Sequence, residues 1–303
     1  MSPRHMKAIQ DTGNCLVCAL DPNDSVGVID SYFADADFFT DFERYDSHIK
    51  LLRRQGRGVD YVSICSPNHL HDVHICHALH NDADSICEKP LVLTPWNLDD
   101  LTEAEQLTGK RAYTILQSRL HPTAQSLWQE MAGSDGVVHD VNVTYVTSRG
   151  SWYHSSWKGQ LEKSGGIVTN IGIHLFDMLM WVFGNPRQSL VHLHRRDCAG
   201  GYLELEGARV RWFLSVNPQH LPETEKSTGK RNFRSIEIDG RQWEFSHGFL
   251  DLHTKSYEQI LAGRGFGISD ARPSIETVAS IRTAKIVPLR GDYHPICKLV
   301  DAA

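Results

Sequence analysis

Between residues 14 and 116 the sequence alternates short apolar runs with stretches of helical spacing, and this alternation limits the fold more than any other feature. The apolar runs fall at 14–20, 60–66, 84–87 and 112–116. Between them, Phe42, Tyr45, Ile49 and Leu52 recur at helical steps, and further helices are predicted over 69–80 and 98–107. Short buried strands separated by helices of this length predict a Rossmann-type, doubly wound parallel sheet. Right-handed crossovers place the C-terminal ends of its strands on one edge, where ligands bind. Beyond residue 120 the rhythm changes. Strands are predicted at 140–148, 189–194, 202–206, 209–216, 234–238 and 242–245, with Asp239-Gly240 as a hairpin signal. The expectation is a nucleotide domain over residues 1–118, followed over 119–303 by an α+β domain with a largely antiparallel open sheet that shapes a substrate pocket.

The 303 residues carry 31 basic and 37 acidic side chains, a net charge of −6, so no basic field invites a phosphate polymer. Nucleic acid is not an expected partner. Seven cysteines, an odd number lying mostly in apolar runs, suit reduced thiols of a cytoplasmic protein better than a disulfide framework. Cys15 and Cys18 have CxxC spacing, but on a strand such residues point to opposite faces. The longest apolar stretch, 176–183, is far short of the ~20 residues that span a bilayer, so no membrane association is expected.

Three groups of residues carry chemistry. Asp21 closes the first predicted strand, where a dinucleotide fold places an acid on the ribose hydroxyls. A carboxylate there repels a 2′-phosphate and favours NAD; the alternative is a turn acid in Asp21-Pro22-Asn23-Asp24. Ser66-Pro67-Asn68 and Glu88-Lys89-Pro90 both follow apolar strands and therefore share the ligand edge. Lys89 is either an amine whose burial lowers its pKa or a solvated loop lysine. The third group is Gly165 to Asp177. Ile167, Ile171, Leu175, Met178 and Val182 predict one continuous helix, along which Asn170, His174 and Asp177 form a polar stripe. His174 suits proton transfer near pH 7, against the alternative of a hydrogen-bonded core histidine. His71, His74, His77 and His80 step around a helix by about 60° each and complete no tetrahedral ligand set, so no metal is expected. Trp152, Tyr153 and Trp157, set between Arg149 and Lys158, form either core or a surface that stacks on a base or sugar and pairs with phosphates.

On these residues the chain resembles the glucose–fructose oxidoreductase / inositol dehydrogenase family of NAD(P)-dependent sugar oxidoreductases. The matching pieces are Ser66-Pro67-Asn68-His69-Leu70-His71, Glu88-Lys89-Pro90 and the glycine, asparagine, histidine and aspartate positions of 165–177. Pro3-Arg4-His5-Met6, Arg149-Gly150-Ser151-Trp152-Tyr153, Ser156-Trp157-Lys158 and Asp251-Leu252-His253-Thr254 are similar to members that oxidise the 3-hydroxyl of UDP-2-acetamido-2-deoxy-glucuronate for bacterial surface polysaccharide (O-antigen). The resemblance implies that Asp21, Ser66, Pro67, Asn68, His71, Glu88 and Lys89 serve NAD. It implies that Lys89 and His174 serve catalysis, with the true base left open. Arg119, Arg149, Trp152, Tyr153, Lys158, Asn170 and His174 are then the substrate residues. It further implies a cis Lys89-Pro90 bond, a homo-oligomer (a tetramer by preference), and 2-oxoglutarate as a hydride acceptor paired by Arg4. Two alternatives stay open: the same chemistry on another sugar or inositol, and a catalytically silent sugar-nucleotide binder.

One departure stands out. The family opens on a strand and a glycine-rich turn that holds the pyrophosphate at a helix N-terminus, and nothing between Met1 and His5 matches them. The expectation is a sheet without its central strand, reduced stability and weak NAD binding by this polypeptide. Calorimetric titration tests this: a weak isotherm is expected, and micromolar affinity contradicts it.

Overall fold

The computed structural model describes residues 2–24, 26–131, 136–243, 245 and 251–302. The first part runs α1 (Ser2–Asp11), β1 (Cys18–Leu20), α2 (Val26–Asp30), β2 (Asp37–Phe39), α3 (Phe42–Arg54), β3 (Tyr61–Ile64), α4 (His71–His80), β4 (Asp84–Cys87), α5 (Pro95–Thr108) and β5 (Ala112–Thr114). Every strand pairing here is parallel, as the alternation predicts. The short elements α2 and β2 were not anticipated, because neither carries enough residues to display a period.

The parallel sheet is in two pieces. β1 pairs with β2, β3 with β4 and β4 with β5, and among the described residues β1 and β3 are not paired with each other. Between the pieces lies a cavity of about 920 Å³ walled by Leu16, Ala19, Tyr61, Val62, Ile64 and Ile86, among others.

The second part contains α6 (Pro122–Met131), β6 (His139–Thr147), α7 (Trp152–Ser155), α8 (Leu161–Ser164), α9 (Gly166–Asn170) and α10 (Ile173–Phe183). It continues with β7 (Pro186–His194), β8 (Cys198–Leu205), β9 (Ala208–Ser215), α11 (Glu223–Ser227), β10 (Asn232–Ile238) and β11 (Arg241–Trp243), and ends with α12 (Leu252–Leu261), α13 (Ile268–Thr283) and α14 (Pro295–Asp301). The predicted strand 242–245 includes residue 244, which lies outside the described residues. Six strands form one open sheet in the order β11-β10-β6-β9-β8-β7, antiparallel except for β6 beside β9. Asp239 and Gly240 both have positive φ, the twist a two-residue hairpin between β10 and β11 requires.

Alternation along β9 divides the core. Val210, Trp212 and Leu214 join Phe176, Leu179 and Phe183 of α10, while Phe213 faces Cys198, Cys297 and Val300 beneath α14. Each fully buried large side chain contributes roughly 1.5–3 kcal/mol, so the sheet is fixed from both faces. The last helices cross back to the first part: Tyr257 and Ile260 of α12 pack with Ala8 and Ile9 of α1 and with Ile86 and Ile115. No single helix among the described residues is long and apolar enough to cross a membrane.

The continuous helix expected over 167–182 is broken. α9 and α10 meet at a 44° bend. Gly172 sits at the junction, where a Cβ would strike the Val168 carbonyl, Leu214 and the Phe176 ring. Periodicity alone does not register such a break, since the steps of three and four persist across it.

The bend falls between Asn170 on α9 and His174 and Asp177 on α10, and the contacts of Asp177 correct the assignment of Arg119 to substrate. Arg119 donates Nε to Asp177 Oδ2 at 2.9 Å and Nη2 to Asp177 Oδ1 at 2.7 Å, and reaches the Asp270 carbonyl at 2.9 Å. Both side chains are almost fully buried, so the guanidinium is committed to bracing α10. Removing one partner strands a buried charge. Arg119→Met is therefore expected to cost about 3–5 kcal/mol in thermal or denaturant unfolding, with the substrate KM of the surviving fold little changed. An unchanged melting temperature with a raised KM returns Arg119 to the substrate.

Candidate active site

The site forms where the strand ends of the first part meet α9 and α10. Glu88 and Lys89 leave β4 in succession, and the Lys89-Pro90 bond is cis, as expected. The two side chains go opposite ways. Lys89 Nζ donates to the backbone carbonyl of Asn170 at 2.9 Å, an acceptor exposed because α9 ends there. Burial pulls the Lys89 ammonium below its ordinary pKa; the nearby Lys158 and Arg149 charges act in the same direction and Glu88 opposes them. His174, in the first turn of α10, is held well below 6.5 by burial and by the charge of Lys89, so its ring is neutral at pH 7. A neutral imidazole beside a retained ammonium can accept a proton from a hydroxyl that the ammonium polarises.

Around this pair the predicted substrate residues converge, Arg119 excepted. Asn170 Nδ2 donates to the Tyr153 hydroxyl at 3.3 Å, and Tyr153 is buried. Lys158 Nζ lies 5.7 Å from the Trp152 ring centre and 5.6 Å from that of Trp157, so the aromatic group holds the ammonium by cation–π contact. Trp152 is half exposed, whereas Arg149 is an exposed cation just after β6. Arg234, on β10, was not anticipated. Its guanidinium stacks 4.9 Å over Tyr145, and its charge contributes to keeping His174 neutral. Lys89 and Arg234 act on His174, and Lys158 and Arg149 on Lys89, so the charge gathered here is positive and favours an anionic substrate.

The cofactor residues divide into two sets. Asp21, Ser66 and Pro67 line the 920 Å³ cavity together with Asn23, Phe42, Tyr45, His74 and Trp157. Asp21 stands at the end of β1 and its Oδ1 accepts from the Asn23 amide at 2.9 Å, so it is a turn acid that also lines the cavity. The donors and the shape of this space fit a dinucleotide, with an acid after one strand and a Ser-Pro loop after the next. Asn68, His71 and Glu88 are turned elsewhere. Asn68 Nδ2 donates to the Ser164 carbonyl at 3.0 Å. His71 lies between the Pro90 carbonyl at 2.7 Å and the Ser66 carbonyl at 3.0 Å, clamping the two cofactor loops together. Burial holds its ring below the ordinary pKa, so the neutral ring donates to one carbonyl, and Pro90 is the nearer.

Glu88 is also corrected from a cofactor contact to an internal one. Its Oε1 accepts from His5 Nε2 at 3.0 Å and from His253 Nε2 at 2.9 Å, and all three residues are buried. These atoms lie within 4.8 Å of one another. Both imidazoles stand at hydrogen-bond distance from one oxygen, the arrangement of a carboxylate shared between two donors. Sequence reading missed His5 and His253; the one available signal was His253 and Tyr257 at i and i+4 in a helical stretch. The histidines of α4 have other partners as well: Ser66 for His74, Asp46 for His77 and the Cys76 carbonyl for His80.

Two family models match: an oxidoreductase family with an NAD-binding Rossmann fold over residues 1–115, and its C-terminal alpha/beta domain over 133–228. The WlbA (WbpB) dehydrogenase of Thermus thermophilus is 48% identical, with a TM-score of 0.94 over 97% of this chain and 96% of that one in its complex with NAD and alpha-ketoglutarate. The same enzyme with NAD and UDP-GlcNAcA is equally similar, at 48% identity and a TM-score of 0.94, covering 97% of this chain and 95% of that one. The D-glucoside 3-dehydrogenase of Escherichia coli (strain K12) is 30% identical over 138 residues, 45% of this chain and 39% of that protein, so the chain spans well under two thirds of this curated relative. With its nucleotide sheet, its cis Lys89-Pro90 and its Lys89–His174 cleft, the chain belongs to the NAD-binding Rossmann oxidoreductase family typified by glucose–fructose oxidoreductase and inositol dehydrogenase.

Proposed function

We propose that this protein oxidises the 3-hydroxyl of UDP-2-acetamido-2-deoxy-glucuronate to the 3-keto sugar, using NAD, in cytoplasmic synthesis of bacterial surface polysaccharide. The observation that carries the reading is Lys89 Nζ held 2.9 Å from the Asn170 carbonyl, with Asn170 in turn on Tyr153 and the Lys158 cation on Trp152 and Trp157. A nucleotide diphosphate and a uronate carboxylate are anions that such a site accommodates. Support also comes from the Thermus thermophilus enzyme, which holds NAD and UDP-GlcNAcA in one structure and NAD and alpha-ketoglutarate in another.

In the proposed mechanism, Trp152 and Lys158 receive the nucleotide sugar while Asn170 and Tyr153 orient the pyranose. Lys89 donates a hydrogen bond to the reacting hydroxyl and stabilises its developing negative charge. His174 accepts the hydroxyl proton as the carbon–hydrogen bond breaks. The bound nicotinamide supplies the hydride-accepting carbon. The backbone carbonyl of Asn170 keeps the amine in reach throughout. Reoxidation by 2-oxoglutarate, with the exposed Arg4 pairing its carboxylate, and assembly into a homotetramer belong to the same proposal. A second reading is a polypeptide that binds the nucleotide sugar without turning it over.

Mass spectrometry of UDP-2-acetamido-2-deoxy-glucuronate incubated with protein and NAD is expected to show loss of two hydrogens; an unchanged sugar with a measurable dissociation constant favours the binder. His174→Asn is expected to lower kcat roughly 10²–10⁴-fold. Because neutral His174 is the accepting form and its titration lies well below 6.5, the oxidation rate should stay level as pH falls through 6.5 and drop only further down. An acid limb centred at or above 6.5 assigns the base elsewhere.

A further inference from the structure

Glu88, His5 and His253 come from three elements far apart in the chain, β4, α1 and α12, and meet in the interior. A carboxylate so buried is costly to keep ionised unless donors satisfy it, and two imidazole N–H groups on Oε1 do so. The network extends further. His5 Nδ1 lies 2.8 Å from the Tyr257 hydroxyl, which lies 2.6 Å from Ser63 Oγ on β3. With His5 donating through Nε2, its Nδ1 is the acceptor, so Tyr257 donates to His5 and accepts from Ser63. Every polar hydrogen in the chain from Ser63 to Glu88 then has an acceptor.

Glu88 and Lys89 are consecutive, and their side chains leave the backbone in opposite directions, one to this network and one to Asn170. Any displacement of the Glu88 carboxylate is passed through a single peptide unit to the amine. On the other side, Ser2, Pro3, His5 and Met6 of α1 line the cofactor cavity, as does Tyr257. We infer that the His5–Glu88–His253 cluster is a positioning device that ties the reach of the Lys89 amine to the seat of helix α1 at the cofactor cavity. The inference rests on the catalytic reading of Lys89 for its consequence in turnover, but not for its geometry.

Charge follows the same connection. The groups facing Lys89 are Glu88 on its own segment, Lys158 and Arg149 from the loop after β6, and His174 from α10. Those facing Glu88 are His5 of α1, His253 and Tyr257 of α12, Cys65 at the end of β3, Cys87 of β4, His71 of α4 and His174 of α10. Glu88 is thus the only anion among them, and it favours the ammonium form of Lys89.

The test uses the full chain and two readouts. The first is the pH dependence of Lys89 labelling by an amine-reactive anhydride, followed by mass spectrometry, which requires no turnover. Glu88→Gln removes the anion and is expected to move the labelling curve to lower pH, raising the rate at a fixed neutral pH at least about threefold. The second is turnover of UDP-2-acetamido-2-deoxy-glucuronate. His253→Ala is expected to lower kcat roughly tenfold with little change in KM, and His253→Asn, which restores an N–H donor, to recover most of it. Labelling curves that coincide for Glu88→Gln and the parent overturn the inference, leaving a brace that affects melting temperature alone. If Glu88→Gln does not fold, equal kcat losses in His253→Ala and His253→Asn overturn it as well. A labelling shift in a protein that turns over no UDP-sugar supports the inference and rejects the catalytic reading.

Discussion

The amine of a single partly buried lysine, Lys89, hydrogen-bonded to the carbonyl of Asn170, is the interaction on which the rest depends. Burial and two neighbouring cations oppose its charge, and Glu88 supports it. Burial, helped by the same charge, holds His174 well below its ordinary pKa. One balance therefore provides both a donor for an alkoxide and an acceptor for its proton, which are the two groups that oxidation of an alcohol requires.

The surrounding structure serves to hold that balance in place. The kink at Gly172 ends α9 early and frees the Asn170 carbonyl that Lys89 needs. Arg119 and Asp177 anchor α10 one turn beyond His174. His71 joins the loop after β3 to the loop after β4, tying the Ser66-Pro67 segment to the lysine-bearing one. These are polar contacts within the interior, and such contacts favour one arrangement of a cleft over its near neighbours.

Much of this was readable from residues alone, for physical reasons. The parallel and antiparallel parts follow from periods of about four and of two, and both Lys89 and His174 follow from polar residues placed after or within apolar elements. What failed depended on tertiary partners. Arg119 resembled a substrate cation because sequence does not show that Asp177 and Asp270 lie opposite it. Glu88 resembled a cofactor residue because His5 and His253 are 83 and 165 positions away. The helix over 167–182 read as unbroken because glycine is tolerated in a helical pattern, and only packing against Leu214 reveals the bend.

The most direct test follows the hydrogen itself. With UDP-2-acetamido-2-deoxy-glucuronate deuterated at carbon 3, a single turnover should yield NADH heavier by one mass unit, with the label in the nicotinamide ring. Unlabelled NADH, or a label that appears in solvent, contradicts a cleft in which Lys89 and His174 flank the carbon-3 alcohol.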